Sequence, residues 1–254
     1  MLRNRVIPII LIDGNRCFKT FKFKSKKYIG DPINIIKIFN EKEVDEIIVL
    51  DINSSKYNQE PNYKLIEEMA SECFMPMSYG GGIKNICQAK RLFSLGIEKL
   101  SLQNAYLQNM NFISELSNEF GSQSIICSMD IKKNFFGKYR MYDSCNQKIK
   151  KVQIKKCIQQ IENAGAGELL INSVDRDGTL RGQDLNLISE ISSFISIPLI
   201  SAGGISSLSD IKNSINCGAD AVAAGAFFCF YGVHKAVLIS YPKYKKLQKL
   251  LGEK

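Results

Sequence analysis

Apolar runs rich in Ile, Val and Leu recur along the chain, and stretches with the spacing of amphipathic helices separate them. Eight runs have the length and composition of buried strands; they cover 5–12, 46–52, 74–79, 98–102, 124–130, 167–173, 197–202 and 220–225. Continuous apolar strands that alternate with helices are typical of a parallel sheet covered on both faces. Eight strand–helix units in 254 residues predict a single α/β domain over 1–254, a closed (β/α)8 barrel of the TIM type.

The two halves of the chain resemble each other at a shift of 122 positions. With this shift "EIIVLDIN" from position 46 lies over "ELLINSVD" from 168, and "MPMSYGGGI" from 75 lies over "IPLISAGGI" from 197. Identical glycines that coincide at one offset are hard to explain by composition alone. The repeat predicts two half-barrels, at about 1–122 and 123–254.

Each half carries a glycine pair that follows a strand and precedes a helix, in "YGGGIKN" and "SAGGISS". Glycines there let backbone N–H groups approach an anion at the positive end of a helix. The loop after the seventh strand, together with the eighth strand, is the usual phosphate site of such barrels. A ligand with a phosphate at each end is therefore expected, bound at Gly81, Gly82, Ser101, Asn104, Gly203, Gly204, Ala224 and Gly225.

Composition narrows the function classes. The eight cysteines form no Cys-x-x-Cys pair and His234 is the single histidine, which argues against a zinc site and against a Ser-His or Cys-His nucleophile. We expect no metal and no organic cofactor. There is no apolar run of about eighteen residues, so we expect no membrane span and a cytoplasmic protein. The net charge of +9 fits a solvated lysine-rich surface or a phosphorylated ligand, and no motif supports nucleic-acid binding.

The motifs resemble those of a known family, the cyclase subunit of imidazole glycerol phosphate synthase, over nearly the whole chain. The resemblance rests on short segments in the same order as in that family: "RVIP" at 5–8, "GDP" at 30–32, "VLDI" at 49–52, "GGGI" at 80–83, "FGSQS" at 120–124, "MDIKK" at 129–133, "DRDGT" at 175–179 and "SAGGI" at 201–205. The resemblance implies a heterodimer in which a glutaminase subunit docks on the lower end of the barrel. Ammonia then crosses the barrel to a ribonucleotide substrate at the upper end.

The resemblance also implies roles for charged residues at the lower end. Four of them match a ring that gates the ammonia path in the family: Arg5, Glu46, Lys99 and Glu168. Each stands at the start of a strand, where side chains converge on the lower mouth. Two cations and two anions can neutralise one another there, which buried charges require. Glu98 matches an acidic position that the family uses to hold the glutaminase.

At the upper end the family uses two aspartates as general acid and base, and only one is matched here. Asp130 matches the aspartate at the end of the fifth strand, whereas Leu11 stands at the position of the other. Asp13 is a weak substitute for it. Polar positions around the family's substrate are matched by Lys19, Ser144, Asn172 and Asp177, and Gln103 replaces a shorter amide.

Loss of one aspartate beside a complete gate resembles a divergent branch associated with surface-polysaccharide synthesis. That branch implies a barrel that supplies ammonia to a separate nucleotide-sugar amidotransferase, which converts an acetamido group to an acetamidino group. The alternative is a working cyclase of histidine biosynthesis that uses Asp130 with Asp13. A sister isomerase on the same half-barrel plan also needs two aspartates and no charged gate, so it is disfavoured, as is a nucleic-acid-binding barrel.

Overall fold

A computed structural model describes residues 4–252. Eight parallel strands form a closed barrel, in which the first pairs with the eighth and the fifth with the sixth. In chain order they are β1 (Arg5–Asp13), β4 (Ile47–Asp51), β5 (Met77–Gly80), β6 (Lys99–Leu102), β7 (Ile125–Lys133), β10 (Glu168–Ser173), β11 (Leu199–Ala202) and β12 (Ala221–Ala224). The prediction of a (β/α)8 barrel is confirmed, and each predicted run overlaps one of these strands.

Helices follow the barrel strands and cover the outside of the sheet. They are α1 (Pro32–Glu41), α2 (Tyr63–Glu72), α3 (Ile86–Ser94), α4 (Asn104–Gln108), α5 (Asn111–Phe120), α6 (Ile154–Asn163), α7 (Leu185–Ser192), α8 (Leu208–Asn216), α9 (Ala226–Cys229) and α10 (Tyr244–Leu251). Asn85 and Ser207, which the 122-residue shift superimposes, cap α3 and α8 in the same extended conformation. The division into half-barrels stays a prediction.

Three short antiparallel hairpins lie at the end of the barrel where the strands terminate, which we call the upper end. The first is formed by β2 (Arg16–Phe21) and β3 (Ser25–Gly30), and β2 also pairs with β1. The second continues β7 into β8 (Tyr139–Asp143) and β9 (Lys148–Ile149), and the third is formed by β13 (Phe230–Tyr231) and β14 (Ala236–Val237). The hydrophobic pattern did not predict these hairpins.

The packing follows the layers expected of such a barrel. The larger cluster of buried residues lies between sheet and helices, as with Phe39 and Leu116. A smaller cluster fills the barrel interior, where side chains from alternate positions of the strands meet. Among residues 4–252 no helix is both long and apolar enough to cross a membrane.

Candidate functional site

Four charged side chains meet at the lower end of the barrel. Arg5 donates to Glu46 at 2.5 Å and to Glu168 at 2.9 Å, and the Lys99 ammonium lies 3.2 Å from Glu46 and 2.9 Å from Glu168. Cations and anions therefore alternate around a closed ring. Ser78, which the sequence did not point to, adds a hydrogen bond to Glu46 at 3.3 Å.

Each charge of the ring has two neighbours of opposite sign. Burial by itself would lower the pKa of Arg5, but the hydrogen bonds and charges of Glu168 and Glu46 outweigh it and raise that pKa. Both acids are largely buried, whereas the cations keep about a fifth of their side-chain surface exposed: Arg5 23% and Lys99 19%. Glu98 is exposed at the start of the same strand as Lys99, so it lies at this end of the barrel as well.

Above the ring the interior is apolar. Buried aliphatic side chains from the barrel strands form one cluster: Ile7, Ile9, Leu11, Ile48, Ile126, Leu170 and Ile200, with small alanines between them. Leu50, in strand β4, and Ile52, in the loop after that strand, pack against this cluster. The cluster separates the lower ring from the cavity at the upper end, so the barrel axis passes from charges through an apolar layer to a polar chamber.

The upper chamber is a cavity of about 410 Å³ lined by all the upper strand ends. Of the predicted site residues, the following line it: Lys19, Gly81, Ser101, Asn104, Asp130, Ser144, Asn172, Asp177, Gly203, Gly204, Ala224 and Gly225. Gly82 lines a smaller adjoining pocket instead. A cavity of this size with polar groups converging on one wall suits a small-molecule ligand.

Asp130 is the most perturbed acid of the cavity. Burial raises its pKa to about 7, and the charge of Asp177 adds to that rise, while hydrogen bonds from Gln103, Ser144 and Asn172 act in the opposite direction. The Gln103 amide donates to Asp130 Oδ2 at 2.8 Å, and its carbonyl accepts from Ser144 at 3.1 Å. An acid with its pKa near neutrality can both give and take a proton at physiological pH.

Leu11 lines the same cavity at the end of β1, as the sequence places it, and is 93% buried. Asp13 lies in an ion pair with Lys26 and accepts a hydrogen bond from the Asn53 side chain at 2.7 Å. The Lys26 bond lowers the pKa of Asp13, and it outweighs the opposing effect of burial with the help of the Asn53 bond and the Lys26 charge. Within the described part of the chain, Asp13 is not among the residues that line the cavity, so the structure does not bring it to Asp130.

Two further carboxylates line the cavity, and each is already held. Asp177 receives Lys19 at 2.9 Å and the Thr20 hydroxyl at 2.8 Å. Asp51, which sequence reasoning missed, accepts the backbone N–H of Asn53 and the backbone and hydroxyl of Ser54. An aspartate that accepts from donors two and three residues later forms a turn motif, which can be recognised in a sequence. The motif does not reveal that the carboxylate lines a cavity.

The glycine segments adopt the backbone that the phosphate hypothesis requires. Gly81, Gly82, Gly203 and Gly204 all have positive φ. A side chain at Gly81 would put Cβ 2.6 Å from the Asp51 carbonyl oxygen, so only glycine fits there. In the first half the Gly82 N–H donates to the Ser55 hydroxyl at 3.0 Å. In the second half Asn172 Oδ1 is buried without a hydrogen-bond partner among the described residues.

The first hairpin forms one wall of the cavity, which the sequence analysis did not predict. Thr20, Phe23, Lys24 and Lys26 line the cavity, and the Lys22 N–H donates to the Asp177 carbonyl at 3.0 Å. Lys56 and Tyr57 line it from the loop after β4. The mouth is therefore basic, which suits an anionic ligand.

The side chains that commonly bind metals are dispersed in the described part of the chain. Among the described residues no group of three or more His, Cys, Asp or Glu side chains is arranged to hold an ion. The cysteines are free, and Cys17, Cys127, Cys157 and Cys229 are buried, whereas Cys87 is exposed. Burial raises the pKa of Cys157 and of Cys229 to about 11, so these thiols stay protonated.

Comparison with known proteins places the chain in a family. The family described as histidine biosynthesis protein matches residues 5–235. Two relatives share the name "Putative imidazole glycerol phosphate synthase subunit hisF2". The one from Pseudomonas aeruginosa is 48% identical over 249 residues, which is 97% of this chain and 99% of the relative. The one from Campylobacter jejuni is 40% identical over 230 residues, which is 91% of each chain.

A more distant relative carries the unqualified family name. The "Imidazole glycerol phosphate synthase subunit HisF" of Dictyoglomus turgidum is 33% identical over 230 residues, again 91% of each chain. The match to the family and these alignments each cover most of the barrel, including both ends of it. The chain therefore belongs to the histidine biosynthesis protein family, among its HisF-like subunits of imidazole glycerol phosphate synthase.

Proposed function

We propose that this chain receives ammonia from a glutaminase subunit at the lower end of its barrel and conducts it to the upper cavity. There it delivers ammonia to a separate nucleotide-sugar amidotransferase and does not itself close an imidazole ring. The single observation that carries the proposal is the contrast between a complete lower ring and Leu11 in the upper cavity.

The lower ring supports the entry step. Its four charges pair internally, so a neutral molecule meets no net charge there. Buried ion pairs add little stability compared with apolar side chains of the same volume. A role in opening and closing the lower mouth therefore explains the ring better than a role in folding does. Glu98 is exposed at the same end and is available to bind a cationic side chain of the glutaminase.

The apolar interior supports conduction of ammonia instead of ammonium. Ile7, Ile48 and Leu170 belong to the layer between ring and cavity and offer no partner for a charge. An unpaired cation in such a layer is costly, whereas a small neutral molecule loses only one or two hydrogen bonds. The layer therefore keeps ammonia in the reactive, unprotonated form until it reaches the cavity.

The upper cavity argues against ring closure. General acid–base catalysis of cyclisation and cleavage needs one group to take a proton while another gives one. Asp130 can serve as one of them, but Leu11 cannot transfer a proton. The glycine segments still suit a phosphorylated ligand, so the cavity keeps a binding function apart from proton transfer.

The test supplies ammonium chloride and the ribulosyl ribonucleotide substrate of the family to the purified chain. We expect no imidazole glycerol phosphate above a no-protein control. The chain should nevertheless stimulate glutamine hydrolysis by its glutaminase partner, and the pair should support glutamine-dependent amidination by a nucleotide-sugar amidotransferase. Steady formation of imidazole glycerol phosphate would contradict the proposal.

A working cyclase is the second candidate, and one observation favours it: Asp51 and Asp177 line the same cavity as Asp130. If the wild-type chain forms the cyclised product, the second proton carrier is found by comparing Asp13→Asn, Asp51→Asn and Asp177→Asn. Only a carboxylate that takes part should abolish turnover together with Asp130→Asn. Asp13→Asn should stay active in that case, because Asp13 is bound to Lys26 outside the cavity wall.

A further inference from the structure

Six large apolar side chains of the first and third hairpins face solvent at the upper end. Their exposed fractions run from 42% to 95%, and together we call them the hairpin face: Phe21, Tyr28, Tyr231, Val233, Val237 and Leu238. Single exposed apolar residues are ordinary on protein surfaces, but a group of them on neighbouring elements marks an interaction site. None of these six side chains lines the cavity, so the site just described does not use them.

The two hairpins touch each other, so the six side chains belong to one surface. The Lys27 ammonium donates to the Lys235 carbonyl at 2.8 Å and lies over the Phe230 ring at 5.1 Å. The Lys235 ammonium lies 5.9 Å from the centre of the Phe21 ring. Cations thus lie between the exposed rings of the two hairpins.

The surface is basic throughout. Neither 16–30 nor 230–238 contains an aspartate or a glutamate. Lys22, Lys27 and Lys235 form no ion pair with any carboxylate in the described part of the chain, although Lys26 pairs with Asp13. The complementary surface is therefore apolar with acidic groups at its rim. A second copy of this chain is a poor occupant, because it would bring the same lysines to the contact.

The surface lies beside the outlet of the barrel. The inner side of the first hairpin forms part of the cavity wall through Thr20, Phe23, Lys24 and Lys26, and the lower ring is at the opposite end. A protein seated on the hairpin face would border the cavity mouth and could receive ammonia before it is protonated in solvent.

We infer that the hairpin face is the docking surface for the ammonia-accepting enzyme, through an apolar patch with an acidic rim on that enzyme. The inference rests on the proposed function and names the surface that its last step needs. Aromatic and aliphatic anchors bordered by charges are the arrangement in which a few residues carry most of the binding energy.

The experiment uses this chain, the glutaminase, a nucleotide-sugar amidotransferase from the same organism and glutamine labelled with ¹⁵N in its amide. The double variant Val233→Glu with Lys235→Glu places two acidic groups on the hairpin face at exposed positions. At limiting amidotransferase, the glutamine-dependent rate should fall about tenfold or more. The rate with ammonium chloride and the stimulation of the glutaminase should not change.

The matched control makes the same two changes elsewhere, Val152→Glu with Lys212→Glu, at exposed positions outside both hairpins. It should keep the wild-type glutamine-dependent rate. If the hairpin variant also keeps that rate, the docking surface is refuted while the proposed function stands. If the wild-type assembly transfers no label to product, the proposed function fails, and the docking surface falls with it.

Two measurements on the chain alone test whether a second copy of the chain or a membrane binds the hairpin face instead. Sedimentation should show a monomer, and vesicles of phosphatidylglycerol and phosphatidylcholine should bind no more of the wild type than of the hairpin variant. A dimer that the hairpin variant dissociates would assign the surface to a second copy and overturn the inference. Vesicle binding that the variant abolishes would assign it to a membrane, with the same consequence.

Discussion

The barrel buries charged groups at both ends and stabilises them in opposite ways. At the lower end Arg5 and Lys99 alternate with Glu46 and Glu168, and each charge has two opposite neighbours. At the upper end Asp130 is buried beside Gln103, Ser144 and Asn172, none of which is a cation. Burial accordingly raises the pKa of Asp130 to about 7, whereas the neighbouring acids raise the pKa of Arg5 against the effect of burial.

This difference indicates what each end can do. Paired charges at fixed positions neutralise one another, which suits a gate for a neutral molecule. A buried acid without a cation changes protonation near neutrality, which suits proton exchange or a pH-sensitive hydrogen bond. Lys19 could have neutralised the upper end, but it is bound to Asp177.

Of the substitutions that test this difference between the two ends, Glu46→Gln is expected to have the largest effect, on the free energy of unfolding. Glu46 accepts from Arg5, Lys99 and Ser78, so its loss leaves two cations sharing Glu168. Breaking a buried ion pair from one side costs about 4 kcal/mol in the free energy of unfolding, measured by urea denaturation. The exposed pair Lys37–Glu72 is the control, and Glu72→Gln should cost less than about 1 kcal/mol. Equal costs would show that the ring charges are not coupled.

The second prediction concerns pH and Asp130. In the unfolded chain this acid loses its proton near 3.8, but in the folded protein it holds the proton up to about 7. Between these values the folded state binds more protons, so the stability that Asp130 contributes is present at low pH and is lost as pH rises. Relative to Asp130→Asn, the wild type should lose about 3 kcal/mol between pH 4 and pH 8.

The stability that Asp13 contributes should change with pH in the opposite direction, so Asp13 serves as the reference for the titration of Asp130. Its folded pKa is lowered, by Lys26 first, so it contributes stability above its unfolded pKa and loses it as pH falls. A wild-type curve parallel to that of Asp130→Asn over the whole range would show that the buried acid is solvated, and the contrast between the two ends would disappear.

The sequence predicted the lower end better than the upper. The four charges Arg5, Glu46, Lys99 and Glu168 were expected together because the resemblance implies them, and each stands at or just before the start of a barrel strand. The upper end depends on contacts between distant loops. That Lys19 binds Asp177 across 158 positions, or that "FKFKSKKY" folds back as a hairpin, is set by tertiary packing.

The third prediction introduces the missing acid by Leu11→Asp. A carboxylate in the apolar layer should lower the free energy of unfolding by about 2 kcal/mol and raise the pKa of Asp130 further by repulsion. With ammonium chloride and the ribonucleotide substrate, this variant should form imidazole glycerol phosphate where the wild type does not. Leu11→Asn is the control, since it has similar polarity but transfers no proton. Equal product from both variants would show that proton transfer by residue 11 does not account for the inactivity that we propose for the wild type.

The smallest effect is expected at Gln103, whose side chain contacts Asp130 directly. Its side chain bridges Asp130 at 2.8 Å and Ser144 at 3.1 Å, and Gln103→Asn is one methylene too short to keep both bonds. Because that hydrogen bond favours the ionised form, its loss should raise the pKa of Asp130 by about 0.7 unit, equivalent to about 1 kcal/mol. Carboxyl ¹³C resonances report the titration directly. Ser144→Ala removes the bond to Gln103 and the weaker contribution of Ser144 to Asp130, so it should raise the pKa of Asp130 less. A larger shift would mean that Ser144 is the main donor to the acid.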